Sequence, residues 1–191
     1  SIHANYASNT NANGVETYVL PLTGYPGTAE GSGVRGRQTG NNNDFHNALL
    51  GYAVHRNLAR LEGSPDRGLK RQAFYVLRET KCPAVLIEIG FLSSPANMRY
   101  LLDDDWQSAC AAAVADGVVT YSRRVANLDA ALAAKRARDE NARHRRVQRL
   151  AQSAAAQPPN ASLPSTPATN TPVAEIGSLF DFYATGTGDN P

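Results

Sequence analysis

One stretch of nine residues, PAVLIEIGF at 83–91, constrains the fold of this 191-residue chain more than any other. Its apolar residues follow one another without the alternation that a half-exposed strand shows. Continuous apolar runs of this length are typical of strands covered on both faces, as in sheets flanked by helices. We therefore predict a strand over 83–91 at the centre of an α/β domain.

The segments around this strand alternate between strand and helix patterns, which also indicates an α/β fold. The predicted elements are strands at 15–20, 73–78 and 83–91, and helices at 44–62, 95–102 and 105–121. Asp44 is a predicted N-cap of the first helix and Gly63 its stop. The glycine-rich residues 22–43 are predicted to form a long loop, and loops of this length in compact domains are usually functional or disordered.

The chain changes character after Tyr121. Residues 122–150 carry nine Lys and Arg against three Asp and Glu, and an apolar seam continues into them as far as Leu132. We predict a domain at 1–121 followed by a basic helical extension at 122–151. Residues 152–191 are rich in Ala, Pro, Ser, Thr and Asn, which cannot bury enough apolar surface to order a segment, so we expect a disordered tail there.

Two residues invite a chemical interpretation. Glu88 falls inside the apolar run VLIEIGF, where an unpaired carboxylate is costly. One interpretation is that Glu88 lies at the strand's carboxyl end and simply reaches solvent. The other is that it belongs to a site, since ligands bind at the carboxyl ends of strands in open α/β sheets. His3 is the second candidate, although a lone histidine is more often structural. The two cysteines lack the spacing of metal ligands.

Four blocks in order, SIHAN, GVETYVL, DRGLKRQAFYVLR and PAVLIEIGFLSSP, resemble the zinc-dependent N-acetylmuramoyl-L-alanine amidases over about residues 1–121. The resemblance implies a three-layer fold with a twisted, mixed and mostly parallel sheet flanked by helices. It implies that His3 is a Zn²⁺ ligand, that Glu88 is the catalytic carboxylate and that Asn5 has at most a supporting place behind the metal ligands. Arg67 and Lys70 match the family as well, without an assigned role.

The resemblance also implies a reaction and a place. The substrate would be peptidoglycan, cut between N-acetylmuramic acid and the L-alanine of the stem peptide. The location would be the bacterial cell envelope, periplasmic or extracellular.

The family also has a first strand that ends in a Gly-His-Gly block, whose histidine is a zinc ligand, followed by a glutamate ligand. No block of this chain matches either one. We therefore expect the chain to be the C-terminal part of a longer protein, with N-terminal strands and a signal peptide missing, and expect these 191 residues alone to be inactive. Asp44 and His46 are weak candidates to replace the two ligands.

Other functions fit parts of the sequence. The domain could be a non-catalytic module that binds peptidoglycan or an envelope partner, but a buried carboxylate would bring such a module no benefit. The basic helix at 122–150 could contact an anionic polymer. It has no aromatic residues for base stacking, so we expect no nucleic-acid partner. No stretch approaches the roughly 20 apolar residues of a membrane span, so none is expected.

Overall fold

The computed structural model describes residues 1–28 and 36–156. In chain order these contain β1 (Ile2–Asn5), β2 (Val15–Val19), a 3₁₀ helix (Thr39–Asn43), α1 (Asp44–Leu58), β3 (Asp66–Arg71), α2 (Tyr75–Glu79), β4 (Leu86–Phe91), α3 (Pro95–Leu101) and α4 (Asp104–Ala155). The predicted strands at 15–20 and 83–91 are therefore present as β2 and β4. The predicted helices at 44–62 and 95–102 are present as α1 and α3, and all four elements are shorter than predicted.

The four strands form one mixed sheet in the order β1-β4-β2-β3. β1 runs parallel to β4 and β2 parallel to β3, whereas β2 and β4 are antiparallel. Two of the three pairings are thus parallel. The prediction of an α/β fold with a mixed, mostly parallel sheet flanked by helices is confirmed.

The main hydrophobic core lies between one face of this sheet and helices α1 and α4. Its buried members are Val15, Val19, Val54, Leu58, Val85, Ile87, Trp106 and Cys110. The opposite face carries a smaller cluster, in which Tyr18, Leu20 and Leu86 pack with Leu77 of α2. Side chains two residues apart in a strand lie on the same face, so polar residues next to this cluster in β2 and β4 share this second face.

The predicted strand at 73–78 is wrong, because α2 lies there and the third strand is β3. The apolar residues of that stretch do not alternate in burial: Leu77 is buried, whereas Tyr75 is exposed. β3 has the charged sequence DRGLKR and was therefore not recognised. It lies at an edge of the sheet within the described residues, where charged side chains are common.

Two further predictions need correction. α1 begins at Asp44, so its N-cap is Asn43 and not Asp44, and the helix ends at Leu58 rather than next to Gly63. The residues after Leu58 form a turn that ends at Gly63. Gly63 has φ +70° and lies against the Tyr100 ring. The predicted loop at 22–43 contains the 3₁₀ helix at its end, and its residues 29–35 lie outside the described part.

Helix α4 runs through both the predicted helix at 105–121 and the predicted extension at 122–151. From 122 to 155 its residues are exposed, apart from the half-buried Val125. The described residues divide into two units, one at Ser1–Glu140 and one that begins at Asn141. The predicted tail at 152–191 lies outside the described residues from 157 onward, and the predicted domain bounds stay predictions. Over the described part of the chain, no helix is both long enough and apolar enough to cross a membrane.

Candidate active site

Three side chains form a row across the sheet, which we call the His3–Glu88–Glu16 row. His3 of β1 pairs with Glu88 of β4, and Glu88 pairs in turn with Glu16 of β2. Residues that pair directly across neighbouring strands carry their side chains on the same face, roughly 5 Å apart. The adjacent residue Thr17 contacts His55 of α1, so the row lies on the face opposite that helix.

Glu88 carries a carboxyl group that is buried in the sheet. It is 8% exposed, and its Oε2 atom has no hydrogen-bond partner among the described residues. The interpretation that Glu88 simply reaches solvent is therefore wrong. Burial and the negative charge of Glu16 raise the pKa of Glu88 to about 7. A carboxyl with such a pKa can accept and return a proton near neutral pH.

Both carboxylate oxygens of Glu16, the third member of the row, accept hydrogen bonds. Its Oε1 atom accepts hydrogen bonds from Arg67 Nε and Lys70 Nζ, each at 2.6 Å. Its Oε2 atom accepts from the Tyr18 hydroxyl at 2.6 Å and from Asn5 Nδ2 at 3.2 Å. Burial alone would raise the pKa of Glu16, but the bonds from Lys70, Tyr18 and Arg67 outweigh it and hold that pKa below its usual value. Glu16 therefore remains ionised at neutral pH, whereas the Glu88 carboxyl is close to its pKa there.

Sequence reasoning missed Glu16, although the signal was present. It lies in VETYV, an apolar strand in which every residue is buried, just as Glu88 lies in LIEIGF. The same rule that singled out Glu88 applies here, because a carboxylate in a buried strand must have a partner or a function. The two cationic partners of Glu16 lie on β3, the strand that the sequence pattern did not reveal.

Arg67 and Lys70 are the two cations that contact Glu16. Arg67 also lies over the Phe91 ring, with its guanidinium carbon 4.9 Å from the ring centre. Lys70 lies over the Tyr18 ring, with Nζ at 5.8 Å. Both side chains are thus held between a carboxylate and an aromatic face, and both belong to the block that resembles the amidases.

The other two predicted site residues, His3 and Asn5, lie on β1, beside the carboxyl groups of Glu88 and Glu16. His3 is exposed, and its Nε2 atom is 2.6 Å from the Ser1 hydroxyl. Asn5 uses its amide to contact Glu16 rather than His3. Whatever support Asn5 gives to the site therefore passes through the Glu16 carboxylate.

The residues of this face meet the needs of a zinc site only in part. His3 offers an imidazole nitrogen and Glu88 a free carboxyl oxygen on the neighbouring strand. A catalytic zinc normally takes three protein ligands and leaves one position open. Residues 1–28 and 36–156 contain no group of three His, Cys, Asp or Glu residues that could hold a metal ion. The weak candidates Asp44 and His46 are engaged elsewhere, with Asn41 and Tyr121 respectively.

The strand ends around the row are joined by one buried side chain, Asn97 of α3. Its Oδ1 atom accepts hydrogen bonds from the backbone N–H groups of Gly14 and Phe91, both at 3.0 Å. Its Nδ2 atom donates to the Gly63 carbonyl at 3.4 Å. Gly14 precedes β2 and Phe91 ends β4, so Asn97 holds together the two strands that carry Glu16 and Glu88.

Comparison with known proteins agrees with this geometry. The sequence profile of the N-acetylmuramoyl-L-alanine amidase family matches residues 1–120. The chain belongs to this family. The predicted resemblance to these amidases is confirmed. Amidases of this family are generally zinc-dependent.

Individual amidases match the same region. N-acetylmuramoyl-L-alanine amidase LytC of Bacillus subtilis (strain 168) is 31% identical over 123 residues, which cover 64% of this chain and 21% of the relative. The catalytic domain of the amidase CwlV from Bacillus (Paenibacillus) polymyxa var. colistinus has a TM-score of 0.50 at 31% identity, covering 64% of this chain and 56% of that one.

A second solved amidase, from Clostridium difficile 630, has a TM-score of 0.50 at 28% identity with the same coverage of 64% and 56%. This chain spans about a fifth of the length of LytC and just over half of each solved amidase chain.

Proposed function

We propose that this protein hydrolyses the amide bond between N-acetylmuramic acid and the L-alanine of the peptidoglycan stem peptide. The observation that carries the proposal is the carboxyl of Glu88, which is buried, has no partner on Oε2 and lies in register with His3. In an amidase domain, this is the environment expected of a group that moves protons. The substrate places the protein in the bacterial cell envelope, on the periplasmic or extracellular side.

The reaction explains why such a carboxyl is needed. An amide resists hydrolysis because its carbonyl carbon is a weak electrophile and an amine is a poor leaving group. The Glu88 carboxylate would accept a proton from water as the water oxygen bonds to the carbonyl carbon. Glu88 would then donate that proton to the L-alanine nitrogen as the C–N bond breaks. The carboxyl ends the cycle in its starting state, and a pKa of about 7 suits both transfers.

In this proposal His3 is one ligand of a zinc ion. Zinc, when bound, supplies Lewis acidity that polarises the carbonyl and activates water near neutral pH. The described residues do not complete a three-ligand set, so the proposal assigns only His3. Glu88 is left out of the ligand set because proton transfer requires its oxygen to be free.

Paired variants of the full-length protein test these roles through dye release from labelled peptidoglycan and the zinc content of each variant. Glu88→Gln keeps the size of the side chain but cannot carry the proton, so activity should fall by about 10²-fold or more while zinc is retained. His3→Ala should lose zinc and activity together. Glu79→Gln, an exposed carboxylate at the end of α2, is the control and should behave as the wild type.

Two results would overturn the assignment. Loss of zinc by Glu88→Gln would make Glu88 a ligand, and full activity of that variant would remove its catalytic role. An alternative function, binding of peptidoglycan without cleavage, predicts that Glu88→Gln binds peptidoglycan as the wild type does and that neither protein releases dye.

We also propose an accessory contact between the basic part of α4 and an anionic envelope polymer. Every Lys and Arg of 122–150 is exposed on one continuous helix, which supports this contact. Binding of this kind is electrostatic and weakens as salt screens the charges. Affinity for an anionic polymer that does not change between low and high salt would contradict it.

A further inference from the structure

Glu16 and Glu88 are neighbouring carboxylates with opposite surroundings. Both oxygens of Glu16 are engaged, two donors on each. Glu88 has an unpartnered Oε2 atom. Arg67 and Lys70 both bond to Glu16, although a second buried carboxyl, Glu88, lies on β4, one strand beyond β2.

The geometry allows the other choice. Lys70 pairs with Tyr18 of β2, and Tyr18 pairs with Leu86 of β4. These three residues form a second row, which lies beside the row that contains Glu16 and Glu88. β2 lies between β3 and β4, so the backbones of Lys70 and Glu88 are two strand spacings apart, about 10 Å. Lys70 carries a point charge on a flexible four-carbon stem, and in the absence of Glu16 the nearest buried carboxyl in that direction is Glu88.

Arg67 has less freedom to change partners. Its guanidinium carbon lies 4.9 Å from the centre of the Phe91 ring, and this contact would hold it after loss of the carboxylate. Lys70 is therefore the cation that we expect to move.

An ion pair between Lys70 and Glu88 would damage proton transfer. The ammonium would occupy the oxygen lone pair that must accept the proton. Its positive charge would also favour the ionised carboxylate and oppose return of the proton to the leaving nitrogen. Catalysis by Glu88 thus requires that the neighbouring cations stay away from it.

We propose that Glu16 is a positioning residue that holds Lys70 and Arg67 on its own carboxylate and so keeps Glu88 free to carry protons. The bonds from Tyr18 and Asn5 fix the other oxygen of Glu16 and stop the carboxylate from turning away. The catalytic consequence rests on the proposed amidase function, whereas the placement of Lys70 does not.

The first test is a crystal structure of the full-length protein with Glu16→Gln. We expect Lys70 Nζ to lie within hydrogen-bond distance of a Glu88 oxygen, at about 2.8 Å. Lys70 pointing to solvent, with Glu88 still unpartnered, would overturn the proposal. Glu16→Asp retains the charge and should retain Lys70, so transfer of Lys70 to Glu88 in that variant would also contradict it.

The second test is rescue of peptidoglycan hydrolysis. Glu16→Gln should lower the rate at least about tenfold, within the range of general acid–base catalysis. Adding Lys70→Met to that variant should restore most of the loss, and Glu16→Asp should lose less than Glu16→Gln. A purely structural role of the ion pairs predicts no rescue by Lys70→Met, and that result would overturn the proposal.

The control is Asp66→Asn, which removes a β3 carboxylate that pairs with His55 of α1, the helix on the opposite face of the sheet. It should not change the partner of Lys70. If the wild type hydrolyses no peptidoglycan, the proposed function fails, and the position of Lys70 in the Glu16→Gln crystal still decides the inference.

Discussion

Replacing Asn97 with Ala should destabilise the domain by several kcal/mol, because one side chain serves three backbone segments. Asn97 is 4% exposed, and its Oδ1 atom accepts from Gly14 N and Phe91 N at 3.0 Å. Alanine leaves both buried N–H groups without an acceptor, at a cost of about 1–3 kcal/mol each. The expected loss is therefore about 2–6 kcal/mol, against a typical domain stability of about 5–15 kcal/mol.

Urea unfolding followed by circular dichroism measures this loss as a lower midpoint. Asn57→Ala is the matched control, since Asn57 is half-buried and makes one bond of 3.4 Å to the Ala113 carbonyl. That control should lose less than about 1 kcal/mol. Equal midpoints for the two variants would refute the reasoning, because Asn97 would then contribute no more than an ordinary helix side chain.

Two further predictions concern stability away from the row. Gly14→Ala should melt at a clearly lower temperature than Gly24→Ala. Both glycines have positive φ, but a Cβ at Gly14 would meet the Pro65 carbonyl oxygen at 2.1 Å, whereas nothing lies within 4 Å of a Cβ at Gly24. Equal melting temperatures would contradict the close approach. The hydrogen bond from His55 holds the pKa of Asp66 below its usual value, so the pair stabilises the fold above about pH 4 and its contribution is lost as pH falls through the lowered pKa. Asp66→Asn should therefore be less stable than the wild type at about pH 6 and similar to it at about pH 2 in thermal melts, and a difference that persists in acid would contradict the ion pair.

The sequence predicted the elements whose pattern reflects their own burial. β4 is covered on both faces, and its continuous apolar run showed this directly. β3 was missed because its charged residues are stabilised by Glu16, a residue about 50 positions earlier in the chain. The apolar stretch at 73–78 resembles a strand in its sequence. Only the fold reveals that Leu77 is buried while Tyr75, two positions earlier, is exposed.

The residues of the candidate site also divide into those that a local sequence pattern reveals and those that it does not. Glu88 could be singled out because a carboxylate in an apolar strand is costly at any position in the fold. His3 could be recognised only through the resemblance to the amidases, since nothing local distinguishes it from a surface histidine. The register that pairs His3 with Glu88, and Glu88 with Glu16, joins three distant segments. A linear pattern carries no information on such pairing, and for this reason the role of Glu16 emerged only from the structure.

The most direct test of the proposed function is the identity of the bond that is cut. Purified peptidoglycan is incubated with the full-length wild type and with Glu88→Gln, and the soluble products are analysed by mass spectrometry. We predict stem peptides that begin with a free L-alanine amino group, released by the wild type and not by Glu88→Gln. Products cut within the glycan or within the peptide, or the same peptides from both proteins, would contradict a Glu88-dependent amidase.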